Sequence, residues 1–149
     1  MNIIDSVDEQ IVGLLGKDAR QNSETLAKQL NLSSATVRRR LRKLIHSDLL
    51  RIIGVVDSNK FGFPVAVVIT LDVAQDKLES AIDKLANKPE IRLVSSTTGR
   101  FDIIAFARFH SNESLSLFMT KELTQIEGIN HSETFICLQV KKGVYAAFP

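Results

Sequence analysis

A chain of 149 residues, 44% hydrophobic and 24% charged, has the make-up of one folded domain or two small ones, which excludes disordered and fibrous classes. No apolar run reaches the roughly 18 residues needed to cross a bilayer; FPVAVVITLDVA is cut by Asp72, and MNIIDSVDEQ lacks the basic start and apolar centre of a secretory leader. The net charge of +2 excludes little, while the single cysteine, Cys137, excludes an internal disulfide framework and makes a reducing cytoplasm the expected location.

The first fifty residues show helical spacing. DSVDEQIVGLL opens with Ser6 and has Glu9 three residues later, a capping-box pattern, and Val7, Ile11, Leu14 and Leu15 form one stripe. NSETLAKQL follows, capped by Asn22 or Ser23, with Leu26, Ala27 and Leu30 facing inward. The third helix, in NLSSATVRRRLRKLIHSD, starts at Ser33 or Ser34 and carries Val37, Leu41 and Leu44 on its buried stripe. Only Asn31-Leu32-Ser33 separate the second and third helices, the turn length of a helix-turn-helix.

Charge is concentrated on that third helix. Residues 1–60 hold ten Lys/Arg against seven Asp/Glu, and five of the ten fall in Arg38-Arg39-Arg40-Leu41-Arg42-Lys43. With Val37, Leu41 and Leu44 turned to the core, Ala35, Arg39, Arg42 and His46 point away, flanked by Thr36 and Lys43 on one side and Arg38 on the other. A solvated face mixes signs to gain pairs four residues apart; here Arg38/Arg42 and Arg39/Lys43 are like-charge pairs that cost helix stability. A polyanion would relieve them. The short residues at the helix start let its N-terminal N–H groups approach a phosphate. Ser34, Ala35, Thr36, Arg38, Arg39, Arg42 and Lys43 are therefore the candidate contacts to double-stranded DNA.

After Asp48 the pattern changes to LLRIIGVVD, apolar and β-branched, expected as a strand serving as wing or hinge, and SNKFGFP reads as a loop. The expected organisation is a helix-turn-helix domain over 1–50, a strand and linker over 51–64, and a second domain over 65–149. That second domain reads strand 65–73, helix 75–88, strands 91–98 and 101–109, helix 112–126 and strand 130–142. The order βαββαβ is ferredoxin-like, so the fold class is α+β with an N-terminal winged helix-turn-helix. Its first strand sets Val65, Val67, Ile69 and Leu71 on one face and Ala66, Val68 and Thr70 on the other. Both faces are too apolar for a sheet covered by two helices on one side only. A second copy is expected to cover the open face, giving a homodimer.

In SSTTGRFDIIAF, Gly99-Arg100 suits a two-residue hairpin turn with glycine at its first central position. Thr98 and Asp102 flank it and can bond its backbone. If a ligand binds there, Asp102 suits an ammonium group, and the N–H groups around Gly99, with Arg100, suit a carboxylate. His46, His110 and His131 lack the spacing of a metal set, Cys137 in an apolar strand reads as core packing, and neither a phosphate loop nor a nucleophile motif occurs. No catalytic residue, metal or cofactor is expected.

This layout resembles the Lrp/AsnC family of feast/famine transcription regulators over essentially the whole chain. The resemblance is carried by DEQIVGLLGKDARQNSETLAKQLNLSSATVRRRLRKL and by the turn Thr98-Gly99-Arg100-Phe101-Asp102 at its distance from it. It implies a dimer that assembles further into tetramers or octamers, and a small effector, usually an amino acid, held near that turn by Thr98, Gly99, Arg100 and Asp102. Two residues depart from the family pattern. Arg100 stands where Asp is usual, which points to an effector of more negative character or to a lost site, and Asp48 stands where Gly is common before the wing. Two rivals share the layout or its DNA-binding part: a subunit resembling sirohaem decarboxylases, and an architectural DNA-binding protein without an effector.

Overall fold

A computed structural model describes residues 4–140. The chain divides into two compact units between Ile53 and Gly54. Among the described residues no helix is long and apolar enough to cross a membrane.

The first unit holds three helices, α1 (Ser6–Lys17), α2 (Ser23–Leu30) and α3 (Ser34–His46). Their apolar stripes meet in one core of Ile11, Leu15, Leu26, Ala27, Val37 and Leu44, with Val7, Leu14, Leu30 and Leu41 packed against it. The start of α1 differs from expectation by one residue. Asp5, not Ser6, is the cap; its carboxylate accepts the N–H groups of Val7 and Asp8, and the Asp8 side chain returns the bond. Aspartate caps as well as serine, and Asp8 three residues on completes the same reciprocal box. Asn22 and Ser33 cap the other two helices. The turn is Asn31-Leu32-Ser33, with Asn31 left-handed at φ 53 and the Leu32 N–H bonded to the Ala27 carbonyl at 2.9 Å. Asp48 likewise takes φ 55, a conformation its short polar side chain tolerates.

The strand expected over 49–57 is absent. Residues 50–57 lie outside helix and strand, and Ile52, Ile53 and Val55 are each more than half exposed. β-branching favours a strand only where a neighbouring strand accepts its hydrogen bonds, and none of the described strands pairs with this segment.

The second unit is a four-stranded antiparallel sheet with helices packed on it. Its elements are β1 (Val65–Val73), a short turn of helix at Gln75–Lys77 leading into α4 (Leu78–Ala86), β2 (Ile91–Ser96), β3 (Ile103–Phe109), α5 (Asn112–Leu117) and β4 (Ile129–Ile136). The strand order is β2-β3-β1-β4, the ferredoxin-like arrangement, and the fold class is α+β. One sheet face is fully buried: Val67, Ile69 and Leu71 pack with Ile103, Ala105, Ala107 and Phe109 against Ala81, Leu85, Leu115, Phe118 and Leu123.

The helix expected over 112–126 is regular only to Leu117. A wide turn follows, in which the Leu123 N–H bonds the Phe118 carbonyl five residues back. An unbroken helix would aim Glu122 at the core, four residues after Phe118. The extra residue sends Glu122 outward to Lys88 and brings Leu123 and Ile126 inward. The fourth strand stops at Ile136, so Cys137 lies beyond it and is half-buried instead of packed in the core.

Candidate nucleic-acid interface and effector loop

The cluster on α3 separates into two groups. Arg40 turns back toward α1, where its Nη1 bonds Asp5 Oδ2 at 2.7 Å and Asp8 Oδ1 at 2.9 Å. Asp8 is 2% exposed, and the Arg40 guanidinium is its ion-pair partner among the described residues. The N–H of Asp8 and the Arg40 guanidinium hold the Asp5 carboxyl below its ordinary 3.8, and the two carboxylates raise Arg40. Arg38, Arg39, Arg42 and Lys43 are exposed, as is Ala35, whereas Ser34 and Thr36 are half-buried. Among the described residues no ion pair forms with Arg38, Arg39 or Arg42.

At the N-terminus of α3, Ser33 Oγ accepts the Thr36 N–H at 3.1 Å and lies 2.8 Å from Thr36 Oγ1. Thr36 is thus partly committed to the cap. Ser34 and Ala35, at the first two helical positions, have backbone N–H groups with no partner inside the helix.

The β2–β3 connection differs from a two-residue hairpin. Its strands end at Ser96 and resume at Ile103, and the loop is closed by the Thr97 N–H on the Asp102 carbonyl at 2.9 Å. Thr97 Oγ1 also donates to the Phe101 carbonyl at 2.7 Å. Four residues, 98–101, therefore project, with Gly99 at φ +116 and Thr98, Gly99 and Arg100 exposed. Asp102 is built into the sheet. Its N–H donates to the Leu71 carbonyl at 2.9 Å, and its Oδ2 accepts the Val73 N–H at 2.8 Å, where the β1–β4 register shifts. That carboxylate replaces a ladder bond that β3 no longer supplies.

Arg100 reaches β4 and bonds Glu133 Oε1 at 2.8 Å, with its guanidinium 5.0 Å from the Phe101 ring centre. Phe101 in turn stacks with His131 at 6.5 Å, and His131 Nε2 lies 3.7 Å from the same Glu133 oxygen. Glu133 and His131 were not legible as members of this cluster, since nothing in their local sequence marks a contact thirty or more residues away. The arginine in the usual Asp position has its charge balanced by Glu133, which weakens the expectation of a more negative effector. Among the described residues no group of three or more His, Cys, Asp or Glu could hold a metal ion.

Comparison with known families assigns both units. Residues 4–45 match the AsnC-type helix-turn-helix domain, and residues 65–145 match the Lrp/AsnC ligand binding domain, more than half of the chain. The chain belongs to the Lrp/AsnC family. Among curated relatives of this family, an uncharacterised HTH-type transcriptional regulator of Pyrococcus furiosus is 31% identical, with 97% of this chain and 98% of the relative covered. Among solved structures, AsnC of Escherichia coli superposes with a TM-score of 0.85 at 26% identity, covering 94% of this chain and 95% of that one. A transcriptional regulator of Neisseria meningitidis, solved in complex with L-Met, superposes with a TM-score of 0.85 at 20% identity, covering 98% and 96% of the two chains. This Lrp/AsnC protein is thus a transcription regulator by family.

Proposed function

We propose that the protein recognises specific sequences in double-stranded DNA through the outward face of α3. Arg38, Arg39 and Arg42 with Lys43 meet phosphates and base edges, and the short Ser34, Ala35 and Thr36 let the helix start approach the groove. The observation that carries this reading is the division of the cluster. Arg40 is folded back onto Asp5 and Asp8, while the three neighbouring arginines stay exposed without a carboxylate partner among the described residues. Arg39→Ala and Arg42→Ala should each weaken duplex binding by about tenfold or more while leaving the melting temperature unchanged. Fluorescence anisotropy on an operator-bearing fragment checks this. Parent-like affinity in both variants would remove α3 from the interface.

The regulator works, in the same reading, as a homodimer joined through the open sheet face and assembling further, with a small amino-acid-like effector held near the projecting loop. The open face carries Phe106 together with Leu93, Ile104 and Phe135, of which Leu93 and Phe135 are about half exposed. Effector binding is supported by family membership and by the L-Met complex of the Neisseria regulator. Exposed Thr98, Gly99 and Arg100 can supply N–H groups and a cation to a carboxylate. Asp102 and Glu133 each have one carboxylate oxygen taken, by the Val73 N–H and by Arg100, and the other oxygen of each suits an ammonium group. We read the protein as a regulator acting in the cytoplasm, without cofactor or catalytic step, because its curated relatives are regulators.

A further inference from the structure

The outward side chains of α3 reach a groove correctly at only one rotation of the helix about its own axis. The apolar stripe does not fix that rotation finely, because burial of Val37, Leu41 and Leu44 is non-directional and tolerates small turns. A turn of about 20° moves a side-chain tip about 5–6 Å from the axis by about 2 Å, enough to break a hydrogen bond to a base edge. Arg40 supplies the missing direction. From α3 its Nη1 donates to Asp5 Oδ2 at 2.7 Å and to Asp8 Oδ1 at 2.9 Å. Both acceptors are themselves held. Asp5 Oδ1 accepts the N–H groups of Val7 and Asp8 at 3.0 Å each, and Asp8 Oδ2 accepts the Asp5 N–H at 3.4 Å. The two carboxylates thus belong to the frame of the first turn of α1, and two bonds fix one nitrogen of α3 against that frame.

Stability alone explains this arrangement poorly. Arg40 Nε is buried without an acceptor among the described residues, so part of the cost of desolvating the guanidinium is not offset. A buried ion pair can often be exchanged for apolar residues of similar volume with little or no loss of stability. What apolar residues cannot supply is direction.

We propose that Arg40 is a positioning residue for DNA recognition: through Asp5 and Asp8 it sets the rotation of α3 at which Arg39 and Arg42 meet base edges in register. The inference rests on the reading of α3 as the DNA-contacting helix. Asp8→Leu/Arg40→Met in the full chain removes the pair and leaves the net charge unchanged. The probe is a duplex that the parent selects from a random-sequence pool, with the unselected pool as reference. Affinity for the selected duplex should fall by about tenfold or more, while affinity for the pool, set by phosphates, should change by less than about twofold. Arg40→Lys, which keeps the charge without the planar fork, should give an intermediate ratio of the two affinities. Leu15→Ala loosens the core and leaves the pair in place, so its thermal midpoint should fall while its ratio stays with the parent. An unchanged ratio in both Arg40 variants would overturn the proposal. So would an equal fall of the ratio in Leu15→Ala, since lost packing would then account for the effect. A parent that draws no preferred duplex from the pool would overturn the DNA reading itself, and this inference with it.

Discussion

At the scale of single residues, arginines of one short run divide by what they touch. Arg40→Ala strands the carboxylate of Asp8 in the core and should cost on the order of 2 kcal/mol, read as a fall in thermal midpoint that Arg39→Ala does not share. The same contact sets an acid limit. Asp5 has a folded-state value below its ordinary 3.8, so its contribution is complete above 3.8 and is lost as pH falls through the folded value. Acid titration followed by circular dichroism should show Asp5→Asn losing less stability over that interval than the parent. Gly128, at φ +90, carries a different constraint: a Cβ there would collide with the Lys77 side chain. Gly128→Ala should destabilise the second unit by about 1–3 kcal/mol in chemical denaturation. Spacing alone revealed the outward positions on α3, but it could not show that Arg40 has partners more than thirty residues away. Nor could spacing show that the Asp102 carboxylate accepts the Val73 N–H, a bond between residues 29 apart in the chain.

At the scale of elements, periodicity identified each helix and each strand of the second unit, because stripes at 3.6 and 2 residues follow directly from burial. Ends and irregularities were less legible. Asp5 and Ser6 are both good caps, and only the chain's path selects between them. The helix after Asn112 reads as one piece because Leu115, Phe118, Met119, Leu123 and Ile126 are all apolar. The wide turn at Phe118–Glu122 becomes visible only when Glu122 has to leave the core. The segment at 49–57 has strand composition without a strand neighbour among the described residues, and pairing is a property of two segments, which the composition of one cannot contain.

At the scale of the whole molecule, the open sheet face predicts association. Phe135→Asp places a charge on a side chain that is half exposed in the single chain, so the fold should tolerate it while the dimer does not. Sedimentation velocity should show the parent as a dimer or larger and the variant shifted to monomer; an unchanged distribution would place the contact elsewhere. The central claim concerns DNA, and it rests on Arg38, Arg39 and Arg42, which form no ion pair among the described residues. The most direct test is the salt dependence of duplex affinity for the parent and for the Arg39→Ala/Arg42→Ala double variant. Each phosphate contact adds about one unit to the slope of log affinity against log salt. The double variant should bind more weakly and with a shallower slope, by about one unit for each arginine that meets a phosphate. Equal slopes and equal affinities in the two proteins would contradict the assignment of α3 as the DNA-reading helix.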